Sequence, residues 1–190
     1  MKKAHAESRR PKKVSAAYLE RAALHYLGRF SSSEENLRKV LGRKVRRRNE
    51  EGDPPTDEQV GWIEDVVRKC VSYGYVNDEV YARQRAESLL RKGKPSRQIL
   101  QDLMYKGVNE EVAAASVGNL VEDDRDLKAD EIAAAAYVRR RRFGPYRRHD
   151  RKVDDRVEKE LASMMRAGFS YSLAKRTLES SLEELDDIQP

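Results

Sequence analysis

A helical pattern that occurs three times is the feature that most constrains how this 190-residue chain can fold. At an offset of 63 residues, seven positions of the first copy match seven of the second without a gap: Tyr18, Ala23, Leu27, Ser33, Leu37, Val40 and Leu41 against Tyr81, Ala86, Leu90, Ser96, Leu100, Leu103 and Met104. The second and third copies match at an offset of 50 residues in their first part and 61 in their second. The third copy therefore carries an insertion of 11 residues.

Within each copy the apolar residues recur with the period of an α-helix, and no segment alternates strongly enough to predict a strand. Thr56 and Gln59 form a capping-box pattern at one predicted helix start. The pattern predicts nine helices, three per copy: 18–30, 34–48, 57–72, 78–92, 97–105, 110–121, 124–142, 150–166 and 171–184. Short helices bury little by themselves, so the copies should stack on one another. The sequence predicts an all-α protein of three tandem three-helix repeats, forming an elongated molecule that could be curved.

The repeats give the predicted division of the chain. It consists of a basic flexible tail (1–14), repeat 1 with a loop at 45–57 (15–76), repeat 2 (77–122), repeat 3 with the insertion near 147–157 (123–185), and an acidic tail (186–190). A set of motif residues is interpreted as structural, because glycine closes helices in the left-handed conformation and proline starts the next turn. This set is Gly74, Asp78, Ala82, Gly93, Pro95, Leu103, Gly107 and Gly168.

Composition excludes several classes of protein. The longest apolar run, Ile132 to Val138, is far shorter than the roughly 20 residues that cross a bilayer. No apolar stretch follows the N-terminal positive charges, so the start does not have the pattern of a secretory signal. Cys70 is the only cysteine, which excludes an intrachain disulfide and a multi-cysteine metal site. We expect a soluble cytoplasmic protein.

Signals for catalysis are weak. Gly93-Lys94 lacks the earlier glycine and the Ser/Thr of a phosphate loop, and the three histidines are far apart in sequence. The acidic cluster Glu122-Asp123-Asp124 could in principle bind Mg²⁺, but carboxylates at a helix start are favoured by the helix dipole in any case. We therefore expect no enzyme activity, no cofactor and no metal.

The charges are strongly segregated, although 39 Lys/Arg and 33 Asp/Glu leave a net charge of only +6. Three basic blocks, one per repeat, are predicted to contact an anionic partner, either nucleic acid or the acidic face of a protein. For any single residue a solvated charge is as good an interpretation, and contact is favoured only for the groups. The residues are Arg38, Lys39, Arg43, Lys44, Arg46, Arg47 and Arg48; Arg91, Lys92, Lys94 and Arg97; and Arg139, Arg140, Arg141, Arg142, Arg147 and Arg148.

The motifs resemble a known family most closely over residues 73–113. There YGYVNDEVYA is followed by LLRKGKPSRQILQDLMYKGVNEEVA. These segments are similar to a family pattern of Gly-aromatic-x-Asp-Glu, aromatic-Ala, Lys-Gly-x-x-Pro, Ile-x-x-x-Leu and Lys-Gly. With the looser first and third copies, the resemblance covers about residues 15–183. The chain resembles the RecX family of bacterial regulatory proteins.

That resemblance implies a monomeric protein that binds the RecA recombinase filament along its groove and mainly inhibits recombinase, ATPase and co-protease activity. It also implies contact with single- or double-stranded DNA within the filament, and a part in DNA repair, homologous recombination and the SOS response. The alternative is a general nucleic-acid-binding helical repeat protein that acts on DNA independently of the filament. A tetratricopeptide scaffold is disfavoured, because the period is 50–63 residues rather than about 34.

Overall fold

The computed structural model describes residues 13–120, 128–147 and 154–188, and every regular element within these ranges is a helix. The all-α fold class is therefore confirmed. The chain divides into two compact units, Met1–Asn77 and Asp78–Pro190. The structure does not describe most of the predicted basic tail, the Glu122-Asp123-Asp124 cluster, residues 148–153 of the predicted insertion, or the last two residues.

The first unit contains three helices, α1 (Ala16–Leu27), α2 (Glu34–Arg46) and α3 (Asp57–Ser72), and a 3₁₀ turn at Glu50–Gly52. Each helix buries one apolar stripe, represented by Leu19, Leu41 and Val67, none of which is solvent-accessible. The predicted capping box is confirmed: the Gln59 amide N–H donates to the Thr56 hydroxyl at 3.3 Å, and the Thr56 N–H donates to the Gln59 side chain at 3.0 Å.

The second unit contains seven helices within its described residues. They are α4 (Asp78–Arg91), α5 (Ser96–Tyr105), α6 (Glu110–Gly118), α7 (Ala129–Arg141), α8 (Asp154–Arg166), α9 (Tyr171–Glu179) and α10 (Leu182–Asp187). A 3₁₀ turn, Gly144–Tyr146, follows α7. One apolar cluster joins the buried residues of these helices, so the predicted second and third repeats share a single core.

The centre of this core is the alanine-rich helix α7, which packs against both α4 and α9. Ile132, Ala133, Ala134 and Ala135 are consecutive and all buried, which requires neighbours on more than one side of the helix. Small side chains let those neighbours approach closely. At the first residue of α5, the Ser96 backbone N–H donates a hydrogen bond to the Asp130 carboxylate of α7 at 2.7 Å.

Among the described glycines, Gly93, in the turn between α4 and α5, lies closest to the backbone of another element. Gly93 is left-handed (φ +70°), and a Cβ added there would lie 2.6 Å from the Tyr137 nitrogen and 2.8 Å from its Cα. Both atoms belong to the backbone and cannot rotate away. Left-handed glycines also end helices at Gly74, Gly107 and Gly168, as predicted, with φ of +72°, +79° and +93°.

A buried carboxylate, Glu160 of α8, holds the turn after α7. It accepts hydrogen bonds from the Gly144 amide N–H at 2.9 Å and from both Nε and Nη2 of Arg147, at 2.9 and 2.6 Å. Only 7% of the Glu160 side chain and 16% of the Arg147 side chain are exposed. The turn and α8 are thus joined by a charged contact that bulk water hardly reaches.

The predicted last helix, 171–184, is wrong as a single element. Helix α9 ends at Glu179, because Ser180 and Ser181 are extended with ψ of 155° and 166°. Ser181 then caps a separate helix α10 by accepting from the Glu184 amide N–H at 3.2 Å. The first predicted helix, 18–30, is also displaced, since α1 spans Ala16–Leu27 and begins at the capping residue Ser15.

We predict that Gly93→Ala lowers the free energy of unfolding by about 2–5 kcal/mol, because left-handed strain adds to a clash with the backbone of α7. Gly74→Ala is the matched control: its φ is nearly the same, but nothing lies within 4 Å of its added Cβ. That variant should lose only about 1–2 kcal/mol. Urea denaturation followed by circular dichroism measures both, and equal losses would show that the close approach is unimportant.

We also predict that Arg147→Ala destabilises the protein by about 3 kcal/mol, because it leaves Glu160 buried without its cationic partner. Arg140→Ala provides the comparison, since Arg140 is exposed and has no ion pair within the described residues. Its effect should stay within about 0.5 kcal/mol. Thermal unfolding of the two variants tests this, and a similar melting temperature for both would contradict it.

Candidate partner-binding surface

The first half of the first basic block is neutralised by acids that lie outside it in sequence. Arg38 Nε donates to both carboxylate oxygens of Glu64 on α3, at 3.0 Å each, and Arg38 Nη2 lies 3.4 Å from Glu34. Lys39 Nζ is 3.6 Å from Glu35. Burial lowers the pKa of Arg38, but the hydrogen bond and charge of Glu64 outweigh burial, so the pKa is raised overall. This half of the block is already paired within the fold.

The second half of the block is different. Arg43 and Arg46 in the last turn of α2, and Arg47 at its C-cap, are all exposed, and we call these three residues the α2 basic row. Within the described residues none of the three has an ion pair. The neighbouring Lys44 is half-buried and also without an ion pair there. Three adjacent unpaired guanidinium groups create a strong local positive potential.

Arg48 follows the row but has a different position. Its guanidinium carbon lies 3.6 Å from the centroid of the Tyr18 ring on α1, in cation–π geometry. Arg48 therefore packs on the first helix, and Tyr18 is half-buried beneath it. An aromatic partner 30 residues earlier in the chain cannot be recognised from the charge pattern alone.

The second block surrounds the Gly93 turn. Arg91 pairs with Glu87 at 3.9 Å, while Lys92 and Arg97 are exposed and have no ion pair within the ranges described. Lys94 is half-buried beside a cavity of about 230 Å³ between α4 and α5. Because Gly93 lies against the backbone of Tyr137, the turn that carries the second block packs on α7, the helix in which the third block begins.

The third block is divided between free and paired arginines. Arg140 and Arg142 are exposed, and Arg141 lies 5.6 Å from the Tyr137 ring centroid. Arg139 contacts the C-terminal helix: its Nη2 donates to the Leu185 carbonyl at 2.9 Å and to the Asp186 carboxylate at 3.3 Å. The sixth residue of this block, Arg148, lies outside the described residues.

Arg147 has its charge fully engaged by Glu160. The hydrogen bond to Glu160 outweighs burial and raises the pKa of Arg147 above its ordinary value. Glu160 lies 13 positions later in the chain. The charge pattern of the sequence therefore does not reveal that Arg147 is paired. Contact between Arg147 and a partner stays a prediction, but the structure gives this residue a role within the fold.

Exposed tyrosines are candidate contact residues that the charge pattern did not reveal. Tyr105 at the end of α5 is 79% exposed, and Tyr73 and Tyr75 form an exposed pair with ring centroids 6.0 Å apart. Each of the three lies within two residues of a left-handed glycine, Gly74 or Gly107. That position at the tip of a turn is the signal that could have identified them.

Among the described helices, none combines the length and apolarity needed to cross a membrane.

Comparisons with known proteins agree with the resemblance seen in the motifs. A family model described as "RecX, second three-helix domain" matches residues 77–116. Regulatory protein RecX of Myxococcus xanthus is 38% identical over 180 residues, which cover 95% of this chain and 94% of that protein. Regulatory protein RecX of Agrobacterium fabrum is 30% identical over 183 residues, covering 96% and 94% of the two chains.

The fold is also similar to a solved structure. The crystal structure of RecX from Lactobacillus salivarius superimposes with a TM-score of 0.57, covering 90% of this chain and 96% of that one, at 17% identity. At that identity the superposition supports the helical fold, whereas the sequence matches extend over nearly the whole chain. This protein belongs to the RecX family of regulatory proteins.

Proposed function

We propose that this protein binds the RecA recombinase filament along its groove, in the cytoplasm and as a monomer, and mainly inhibits recombinase, ATPase and co-protease activity. The observation that carries the proposal is the α2 basic row, an unpaired cationic surface in a member of a regulatory family. A nucleoprotein filament presents phosphates and acidic protein surfaces, both of which attract such a row.

The expected mechanism requires no chemistry on a substrate. Guanidinium groups bind phosphates and carboxylates through paired N–H donors, and each such bond is stronger than one between neutral groups. Residues held on a helix keep a fixed spacing, so the row can engage several anionic groups without first ordering a loop. A bound protein would then favour a filament state that pairs DNA or hydrolyses ATP less well.

The exposed tyrosines favour a second candidate, a protein that binds nucleic acid independently of the filament. Tyr105 and the Tyr73–Tyr75 pair present aromatic faces to solvent. Aromatic side chains stack on unpaired bases without regard to sequence. Arg43, Arg46 and Arg47 would supply the phosphate contacts in that case too, so the two candidates share the α2 basic row and differ in the partner that it binds.

We predict that replacing Arg43, Arg46 and Arg47 together by Gln raises the concentration needed for half-inhibition of the DNA-dependent RecA ATPase by at least about tenfold, because three charge-assisted contacts are lost. Arg48 is left in place because it packs on Tyr18. Titration of each variant against a fixed amount of recombinase filament measures the effect.

The control is the triple variant Arg21, Arg29 and Arg68 to Gln, which changes the net charge by the same amount at exposed positions of the same unit. Inhibition by this control should stay within about twofold of the parent protein. If both triple variants lose inhibition equally, overall charge matters and the α2 basic row is not a specific contact surface.

A competition assay separates the two candidates. We predict that an excess of naked single-stranded DNA, added after the filament has formed, leaves ATPase inhibition nearly unchanged, because a filament regulator binds the assembled nucleoprotein more tightly than DNA alone. If the added DNA relieves inhibition, and naked DNA binds with a salt slope that reports about six phosphates, the protein is a general nucleic-acid binder.

A further inference from the structure

The acidic C-terminal helix contacts one arginine of the third basic block. Asp186, in α10, accepts hydrogen bonds from Arg139 Nη2 and from the Tyr146 hydroxyl. Arg139 Nε also donates to the Tyr146 oxygen at 3.3 Å, so the guanidinium and the phenol are fixed relative to each other. Together they direct two donors at one carboxylate.

This arrangement of donors suits a phosphate group. Arginine and tyrosine side chains are among the groups that bind nucleic-acid phosphates in known complexes. Burial, followed by the hydrogen bond to Asp186, raises the pKa of Tyr146 above its ordinary value. Arg140 and Arg142 are exposed on the same end of α7 and increase the local positive potential.

The Asp186 carboxylate can leave this position without unfolding α10. Its side chain is 59% exposed. Its contact with Arg139 Nη2 (3.3 Å) is longer than that of the Leu185 carbonyl (2.9 Å), and its shorter hydrogen bond comes from the Tyr146 hydroxyl (2.5 Å). Leu185 itself is buried, with 2% of its surface exposed. A rotation of the Asp186 side chain would therefore free the site while Leu185 and its carbonyl hold the helix in place.

We propose that Arg139 and Tyr146 form a phosphate-binding site for single-stranded nucleic acid, and that Asp186 occupies this site in cis and lowers the affinity. The biological role of this site rests on the proposed function, in which DNA within the filament is a partner. A phosphate is favoured over an acidic peptide, because a peptide that imitates α10 would need the apolar position that Leu185 already fills.

The test compares Asp186→Ala with Asp187→Ala. Both variants remove one negative charge from the same helix, but Asp187 is exposed and has no ion pair within the described residues. Fluorescence anisotropy with a labelled oligothymidylate of about 16 nucleotides gives the affinity over about 50–200 mM salt. Circular dichroism melting checks that both variants remain folded.

We expect Asp186→Ala to bind about threefold to tenfold more tightly than the parent protein, the range that one hydrogen-bonded contact contributes. The slope of log affinity against log salt should steepen by about 0.7, the value for one additional phosphate contact on a single strand. Asp187→Ala should show a smaller gain and an unchanged slope. Adding Tyr146→Phe to Asp186→Ala should remove at least half of the gain.

Equal gains in the two alanine variants, or no gain in a folded Asp186→Ala protein, would overturn the proposal. So would a labelled peptide of residues 181–188 that binds Asp186→Ala and is not displaced by the oligonucleotide, since the surface would then be a peptide site. The assay contains no recombinase, so its failure would leave inhibition by the α2 basic row to be judged on the ATPase experiment alone.

Discussion

The close packing of the Gly93 turn on α7 is the contact on which the second unit depends. A side chain at Gly93 would overlap the backbone of Tyr137, and the run of buried alanines before it keeps α7 narrow enough for α4 and α9 to approach on different sides. The same packing brings the Lys92–Lys94 turn next to the helix that carries the third basic block. The close packing of the core thus fixes where the basic residues beside Gly93 lie on the surface.

Much of the fold could be predicted because its signals are local. The apolar period, the Thr56–Gln59 capping box and the helix-ending glycines each depend on residues a few positions apart, and all are present in the structure. The break between α9 and α10 was missed because Leu178, Leu182 and Leu185 continue the helical period across it. The competing signal was a pair of serines, Ser180 and Ser181, either of which could cap a new helix. In the structure Ser181 caps α10.

The candidate site was less predictable, because a charge is neutralised by whatever lies beside it in space. Arg38 faces Glu64 of another helix, and Arg147 faces Glu160, which no count within a short window would pair with it. Within the described residues, the α2 basic row, Lys92 and Arg97, and Arg140 and Arg142 keep the exposed, unpaired character that the sequence suggested. Of the 16 predicted basic residues that the structure describes, a smaller group has charges that no acid of the fold pairs.

The hydrogen bond from the Ser96 amide to Asp130 has a consequence for how the second unit folds. The first turn of α5 has a donor satisfied only when α7, from the following repeat, is in place. Gly93 similarly exposes its backbone unless α7 covers it. A fragment ending with α6 would therefore lack both the carboxylate that accepts from Ser96 and the helix that covers Gly93, although it matches a recognised three-helix domain. In this chain, the boundary of a repeat is not the boundary of a cooperative folding unit, and α4 to α9 should fold together or not at all.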